Sequence, residues 1–165
     1  MKLFVPFTRI LPPTQMVLKP YRYEPIEMKG DDGYLNYFKQ RWDDDNPFIN
    51  CEHDTVFFHG AIEELEKCRE DWCAFAVNET DSFKNGTTAT LALMKFSERF
   101  IEDYPDLWNE MENADVCWQH LPKWQWCDLW MQHYMGDITC HQHNPPIVNA
   151  NPVKTVMVVG SDEVI

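Results

Sequence analysis

Apolar residues form short blocks in the first part of the chain, and these blocks predict strands. Leu3 to Phe7 is one such block, and Glu24 to Glu27 continues the chain in extended form. The Pro12-Pro13 pair is expected to break the chain, and Gln15 to Leu18 is expected to begin a second extended segment. The pattern therefore predicts that this region supplies the first strands of a sheet.

Two helices are predicted by apolar residues that recur at helical spacing. In the first helix the inward positions are Leu35, Phe38 and Trp42. In the second helix, which spans Gly60 to Cys68, they are Ile62, Leu65 and Cys68. The second helix lies between an apolar strand that begins at Phe48 and another from Trp72 to Val77. Strand, helix and strand in succession predict a βαβ unit, whose crossover is almost always right-handed.

The second half of the chain continues this alternation. Thr87 to Phe96 is rich in β-branched and apolar residues and is predicted to be a strand, although its centre would also suit a helix. Ser97 is a good N-cap for the helix that follows. A helix from Pro122 to Gly136 is apolar on nearly every side, so we expect it to be buried. Ile138 to His141 is predicted to be a short strand that precedes Asn144-Pro145-Pro146.

The length and the order of the elements predict the fold class. A chain of 165 residues forms one domain with a substantial core. With 44% hydrophobic and 14% aromatic residues, the composition is typical of a globular protein. The predicted fold is α/β, with a mostly parallel sheet flanked by helices. The apolar tail from Val153 to Val159 is expected to add an edge strand or to dock a partner.

Acidic residues dominate the charge, with 27 acids against 14 bases and a formal net charge of -13. Such a field repels nucleic acid and anionic membranes and argues against direct nucleic-acid binding, although an acidic mimic of DNA would share it. We expect no membrane span, because no apolar run reaches about 18 residues. The amino terminus shows no leader cleavage site. We therefore expect a cytoplasmic protein, in the host cytoplasm if viral, with its six cysteines reduced and buried.

The most informative polar segment is Glu52-His53-Asp54, which follows the apolar strand at Phe48. Alternate side chains of a strand share a face, so Glu52 and Asp54 are predicted to point to the same side. Carboxylate oxygens are the ligands that Mg²⁺ and Mn²⁺ prefer, and open α/β sheets bind ligands at the carboxyl edge of their strands. The alternative is a strand that simply ends in a polar loop.

A second polar segment, Cys140-His141-Gln142-His143, combines thiol and imidazole groups. Zinc accepts both kinds of ligand, and further residues of these types lie upstream at Cys117, His120, Cys127 and His133. No CxxC pair is present, and the spacing matches no zinc finger or ribbon. We therefore interpret these cysteines as thiols that pack like small apolar groups, with a structural zinc site as the alternative.

Asp128 is an acid on the otherwise apolar helix predicted from Pro122 to Gly136. Burial raises the pKa of a carboxyl group, which suits a general base in a site that excludes water. The alternative is that Asp128 accepts hydrogen bonds from a nearby backbone or tryptophan N–H group.

Several common catalytic motifs are absent from the sequence. It contains no GxGxxG segment, no Walker loop, no G-x-S-x-G and no H-E-x-x-H. These absences argue against a dehydrogenase, an NTPase, a serine hydrolase and a zincin.

Taken in order, the segments of the chain resemble short glycosyltransferase-like proteins of the GT-A fold, which are often encoded by phages and bacteria. The resemblance covers about residues 47 to 150, with a looser match for the amino-terminal, Rossmann-like strands. The segments that carry it are Phe48 to Asp54, Gly60 to Cys68, Asp71 to Phe75, Met94 to Ser97, Tyr104 to Leu107, Trp126 to Asp128 and His141 to Asn149. It implies a single-domain, Rossmann-like GT-A-type sheet in which residues 1–50 form the nucleotide side, 51–150 the metal and catalytic part, and 151–165 a tail.

The resemblance also implies cofactors and site residues. A nucleotide-sugar donor, a UDP- or GDP-sugar, would be held with Mn²⁺ or Mg²⁺. Glu52-His53-Asp54 stands where the family has an acidic Asp-x-Asp-type motif, with Glu52 in place of the first Asp, and His141 or His143 would complete the metal shell. Asp128 would be the base in an inverting reaction, whereas a retaining route would not need it. The nucleoside would meet the end of the first strand, at Pro6, Phe7, Thr8 and Arg9.

The leading hypothesis is a metal-dependent glycosyltransferase that moves a sugar from a nucleotide sugar to an unknown acceptor. One alternative is a non-enzymatic, acidic binding or inhibitor protein, based on the net charge and on the run Asp43-Asp44-Asp45. That run also fits a solvated loop. A further alternative is a catalytically degenerate GT-A scaffold.

Overall fold

A mixed sheet with helices on both faces organises the protein. The computed structural model describes residues 1–77, 91–114, 127, 129–131 and 140–150. The helices are α1 (Pro12–Leu18), α2 (Gly33–Asp43), α3 (Ala61–Lys67), α4 (Glu98–Asp103) and α5 (Leu107–Asn113). The strands are β1 (Lys2–Phe7), β2 (Glu24–Glu27), β3 (Phe48–Cys51), β4 (Thr55–Val56), β5 (Trp72–Val77), β6 (Leu93–Phe96) and β7 (His141–Asn149).

Within the described residues the seven strands lie in the order β2-β1-β3-β6-β5-β7-β4. The pairs β1–β2, β1–β3 and β5–β7 are parallel, and β3–β6, β5–β6 and β4–β7 are antiparallel. Five strands therefore share one direction, and β6 and β4 oppose it. The predicted α/β class is confirmed, but the mostly parallel sheet is corrected to a mixed one. The apolar sequence of β6 indicates that the strand is buried but does not indicate whether it runs parallel or antiparallel to its neighbours.

Alternation along the central strands divides the core into two layers. In β5, Trp72 and Ala74 face the layer that contains α2, α4 and α5, whereas Cys73 and Phe75 face the layer that contains α3. In β3, Phe48 and Ile49 divide in the same way. Both faces of these strands are buried, and this explains why their sequences are nearly continuous apolar runs.

The segment from Gln15 to Leu18 is helical, and the prediction of an extended segment there was wrong. Helix α1 begins at Pro12, and its first two positions are both proline. Proline is tolerated in the first turn of a helix because the N–H group that it lacks would have no partner inside the helix. The Pro12-Pro13 pair therefore starts a helix.

Strand β7 is longer than the short strand predicted from Ile138 to His141. It begins at His141 and continues through the two prolines to Asn149. Its pairing with β5 is irregular between the partners of Phe75 and Val77, where Pro145 and Pro146 supply no N–H group to the ladder. The prolines therefore interrupt the strand without ending it.

Some predictions fall outside the described residues. Of the helix predicted from Pro122 to Gly136, Cys127 and residues 129–131 are described and are helical. Asp128, the tail from Val153 to Val159 and the first part of the strand predicted from Thr87 lie outside the described part of the chain. Among the helices that are described, none is long and apolar enough to cross a membrane.

Ser97 caps α4 as predicted, and its removal gives a first test of the fold. The Phe100 N–H group donates to Ser97 Oγ at 3.0 Å, and Ser97 Oγ donates to Asp71 at 3.0 Å. We expect Ser97→Ala to lower the free energy of unfolding by about 1 kcal/mol, as is typical for loss of an N-cap. Urea denaturation measures this loss. Ser97→Thr, which keeps the hydroxyl group, should retain most of the stability, and equal losses in both variants would contradict the role of the cap.

Candidate active site

The carboxyl ends of β1 and β3 meet at one edge of the sheet. The two strands are parallel neighbours, with Phe4 paired to Asn50. The loops that follow them are joined, because the Leu11 N–H group donates to the His53 carbonyl at 3.0 Å. This edge is where an open α/β sheet binds ligands.

The predicted nucleoside-binding residues lie at this edge. Pro6 and Phe7 are still part of β1, and Thr8 and Arg9 follow it with exposed side chains. Arg9 lies two residues before Leu11, whose N–H group bonds the loop that contains Glu52 and Asp54. The structure thus brings the predicted nucleoside and metal segments together.

Glu52 and Asp54 lie in a turn and not on a strand. β3 ends at Cys51, and the turn is closed by the Thr55 N–H group, which donates to the Glu52 carbonyl at 3.2 Å. The alternation predicted for Glu52 and Asp54 therefore does not apply to them. The loop is fixed on two sides, because Glu52 N–H donates to Ala92 at 2.8 Å and the Asp54 carbonyl accepts from Ala150 at 2.6 Å.

Both carboxylate side chains are withdrawn from solvent. Glu52 is 6% exposed and Asp54 is 1% exposed. Burial raises the pKa of the Cys51 thiol, and the negative charges of Glu52 and Asp54 raise it further. Two buried carboxylates at the end of a strand form a donor set that fits a hard divalent cation.

His141 and His143 lie elsewhere along β7. The pairs that define its register are His143 with Phe75, Ile147 with Val77, and Asn149 with Thr55. Six strand positions thus separate His143 from Asn149, at the end of β7 that contacts the Asp54 loop, which is about 20 Å at roughly 3.3 Å per residue. His143 instead contacts Glu64, with 2.9 Å between Nδ1 and Oε1. The structure therefore does not bring the four predicted metal ligands around one ion.

His53 also lies at this edge of the sheet, although it is not among the ligands predicted from the sequence. Its side chain is half-buried, and its Nδ1 atom lies 3.3 Å from Tyr34 Oη. Its carbonyl group accepts the bond from Leu11 that joins the two loops. The signal was its position between two acids, but the contact with α2 could not be read from the sequence.

Asn50 anchors the strand that leads into the acidic turn. It is fully buried, and its Oδ1 atom accepts a hydrogen bond from Tyr37 Oη at 3.0 Å. Its Nδ2 atom donates to the carbonyl of Leu91, next to the residue that binds Glu52 N–H. A buried amide with both ends bonded holds β3, α2 and the start of β6 in register.

Comparison with known proteins concerns the fold. No protein-family model and no curated protein matches the chain. Among solved structures, the crystal structure of a glycosyltransferase involved in the glycosylation of the major capsid of PBCV-1 superimposes with a TM-score of 0.52. The match covers 88% of this chain and 81% of that chain, at 7% sequence identity. The chain has a GT-A-like fold.

A second solved structure is similar to a lower degree. A protein from Bacillus anthracis assigned as a glucose-1-phosphate thymidylyltransferase, in complex with a sucrose, aligns with a TM-score of 0.45 and 8% identity. That alignment covers 90% of this chain and 70% of that chain. The superposition on the PBCV-1 glycosyltransferase supports the resemblance predicted for residues 47 to 150 at the level of a GT-A-like fold.

Proposed function

We propose that this protein is a metal-dependent glycosyltransferase that uses a UDP- or GDP-sugar as its donor. The observation that carries the proposal is the meeting of two segments at the carboxyl edge of β1 and β3. One segment presents the exposed Thr8 and Arg9, and the other holds the buried Glu52 and Asp54. The GT-A-like fold supports the same class of activity.

The charge of the chain gives the edge a specific requirement. A net charge of -13 repels a nucleoside diphosphate, so its binding needs local positive charge. Arg9 supplies one cationic group at the edge. Glu52 and Asp54 would hold Mn²⁺ or Mg²⁺, and the bound ion would neutralise the diphosphate as the bond to the sugar breaks.

The remaining parts of the site orient the donor and the acceptor. The end of β1 at Pro6 and Phe7 is proposed to contact the nucleoside. In an inverting reaction the acceptor hydroxyl oxygen forms a bond to the anomeric carbon while the bond from that carbon to the diphosphate breaks. Asp128, which lies outside the described residues, is proposed to accept the hydroxyl proton. His141 and His143 take no part in this arrangement.

A donor-consumption assay tests the proposed activity. The chain is incubated with a panel of UDP- and GDP-sugars in Mn²⁺, and release of nucleoside diphosphate is measured. We expect release from at least one donor, and chelation of the metal should stop it. If no donor binds and none is consumed, the protein is not an active glycosyltransferase, and the degenerate scaffold or the acidic binding protein gains support.

Arg9→Ala tests the predicted contact with the diphosphate. We expect the affinity for UDP or GDP to fall about tenfold, because a charge-assisted hydrogen bond to phosphate is lost. The affinity for the uncharged nucleoside should not change. Arg22→Ala is a matched control, because Arg22 is also exposed but precedes β2 at the opposite edge of the sheet. Equal losses in the two variants would show that Arg9 acts only through net charge.

A further inference from the structure

Three sulfur- and nitrogen-bearing side chains from separate elements converge beside β5. Cys68 ends α3, Cys73 lies in β5 and His143 lies in the neighbouring β7. One potential ligand atom from each residue lies within 4.8 Å of the others. In a tetrahedral zinc site, bonds of about 2.0–2.3 Å place the ligand atoms roughly 3.5–3.8 Å apart. The three groups are therefore close to the spacing that zinc requires.

His143 is held in the orientation of a metal ligand. Its imidazole is buried, with 7% of the residue exposed, and Nδ1 lies 2.9 Å from Glu64 Oε1. A carboxylate accepts hydrogen bonds, so Nδ1 is the donor to Glu64, and Nε2 is the ring nitrogen that remains for a metal ion. Nε2 is shielded from solvent and has no hydrogen-bond partner among the described residues. Histidine ligands of zinc show the same pairing with a carboxylate.

A neighbouring residue, His141, is placed to supply a fourth ligand. His141 Nδ1 lies 3.2 Å from Cys68 Sγ, and the His141 and His143 rings lie 4.6 Å apart. The cluster therefore offers more donors than the three that lie closest together.

We propose that Cys68, Cys73 and His143 form a zinc site, completed by His141. Thiolate and imidazole groups select zinc over Mg²⁺ and Mn²⁺, so the site is chemically distinct from Glu52 and Asp54. The proposal does not depend on sugar transfer.

The site would connect three parts of the fold. It would fasten the amino-terminal half of β7 to β5 and to the end of α3. The other end of β7 contacts the Asp54 loop through Ala150. A structural ion at this position would therefore stabilise the strand that supports the acidic turn.

Zinc binding by the full chain tests the proposal. The reduced protein is freed of metal with a chelator and titrated with Zn²⁺ against a chromophoric chelator. We expect one zinc ion per chain, and Co²⁺ at the same site should show thiolate-to-metal charge-transfer absorption. Cys68→Ser and His143→Gln should each lower the zinc affinity at least about 100-fold, since loss of an outer-shell partner alone costs up to that factor.

Matched controls distinguish zinc binding at this cluster from zinc binding by any thiol or imidazole group of the chain. Cys51→Ala removes a buried thiol of β3, and His59→Gln removes an exposed imidazole. Both variants should bind zinc like the unaltered chain. In the unaltered protein, zinc should also protect Cys68 from alkylation. This measurement needs no variant, so a variant that misfolds cannot affect it. Failure of the unaltered, reduced chain to bind zinc, or equal affinity in Cys68→Ser and Cys51→Ala, would overturn the proposal.

Discussion

Asp54→Asn is expected to abolish metal-dependent binding of a nucleotide sugar. The substitution keeps the shape of the side chain and the carbonyl that accepts from Ala150, but removes one of two buried carboxylates. An amide oxygen is a weaker ligand for a hard cation than a carboxylate, and the remaining Glu52 supplies one charge in place of two. We expect the affinity for UDP or GDP in Mn²⁺ to fall at least about 100-fold, or roughly 2.7 kcal/mol. Isothermal titration calorimetry measures the change.

The fold of this variant should remain intact. Asparagine has nearly the same size as aspartate and can still form hydrogen bonds in the buried turn, so the metal-free variant should fold, as its circular dichroism spectrum would show. Asp103→Asn is a matched control that also removes one carboxylate. Asp103 is an exposed residue of α4, which follows β6. Because β6 is antiparallel to β3, its carboxyl end lies at the edge of the sheet opposite the acidic turn. Its affinity should equal that of the unaltered chain. An Asp54→Asn variant that binds with unchanged affinity would exclude Asp54 as a metal ligand.

Trp108→Ala is expected to cause the largest loss of stability among single substitutions in the core layer that contains α2, α4 and α5. Trp108 is 1% exposed and stacks on Phe38, with 4.4 Å between ring centroids and 15° between ring planes. It also meets Trp42 edge to face at 5.4 Å. Truncation would leave a cavity between α2 and α5, and we expect the free energy of unfolding to fall by about 3–5 kcal/mol. Urea denaturation followed by circular dichroism measures the loss.

The variant Trp108→Phe separates the effect of an aromatic ring from the effect of side-chain size. Phenylalanine retains an aromatic ring against Phe38 and leaves a smaller cavity, so its loss should be less than half that of the alanine variant. A loss below about 1 kcal/mol in Trp108→Ala would contradict close packing of this layer.

The fold was predictable where burial alone decides the structure. The strands at Phe48 and Trp72 and the helix with Leu35 and Phe38 were found because an apolar pattern reports which faces are buried. The direction of β6 was not predictable from the sequence. A buried strand has the same apolar pattern whether it runs parallel or antiparallel to its neighbours. The helix that starts at Pro12 does not follow from the pattern, because proline breaks the interior of a helix but favours its first turn.

The candidate sites were also predictable from the sequence only in part. Glu52 and Asp54 were found because acids that directly follow a buried strand stand out in the sequence. Cys68, Cys73 and His143 were not found as a group, because 70 residues separate His143 from Cys73. Only the pairing of β7 with β5 brings them together, and strand register is a tertiary property.

The most direct test of the proposed donor site is calorimetric titration of the unaltered chain with UDP and GDP, with and without Mn²⁺. Because the acidic turn and Arg9 lie at one edge, we expect one nucleoside diphosphate to bind per chain in Mn²⁺, and binding to disappear when the metal is chelated. Equal affinity in the presence and absence of metal, or no binding of either nucleotide, would contradict a metal-dependent nucleotide-sugar site at the ends of β1 and β3.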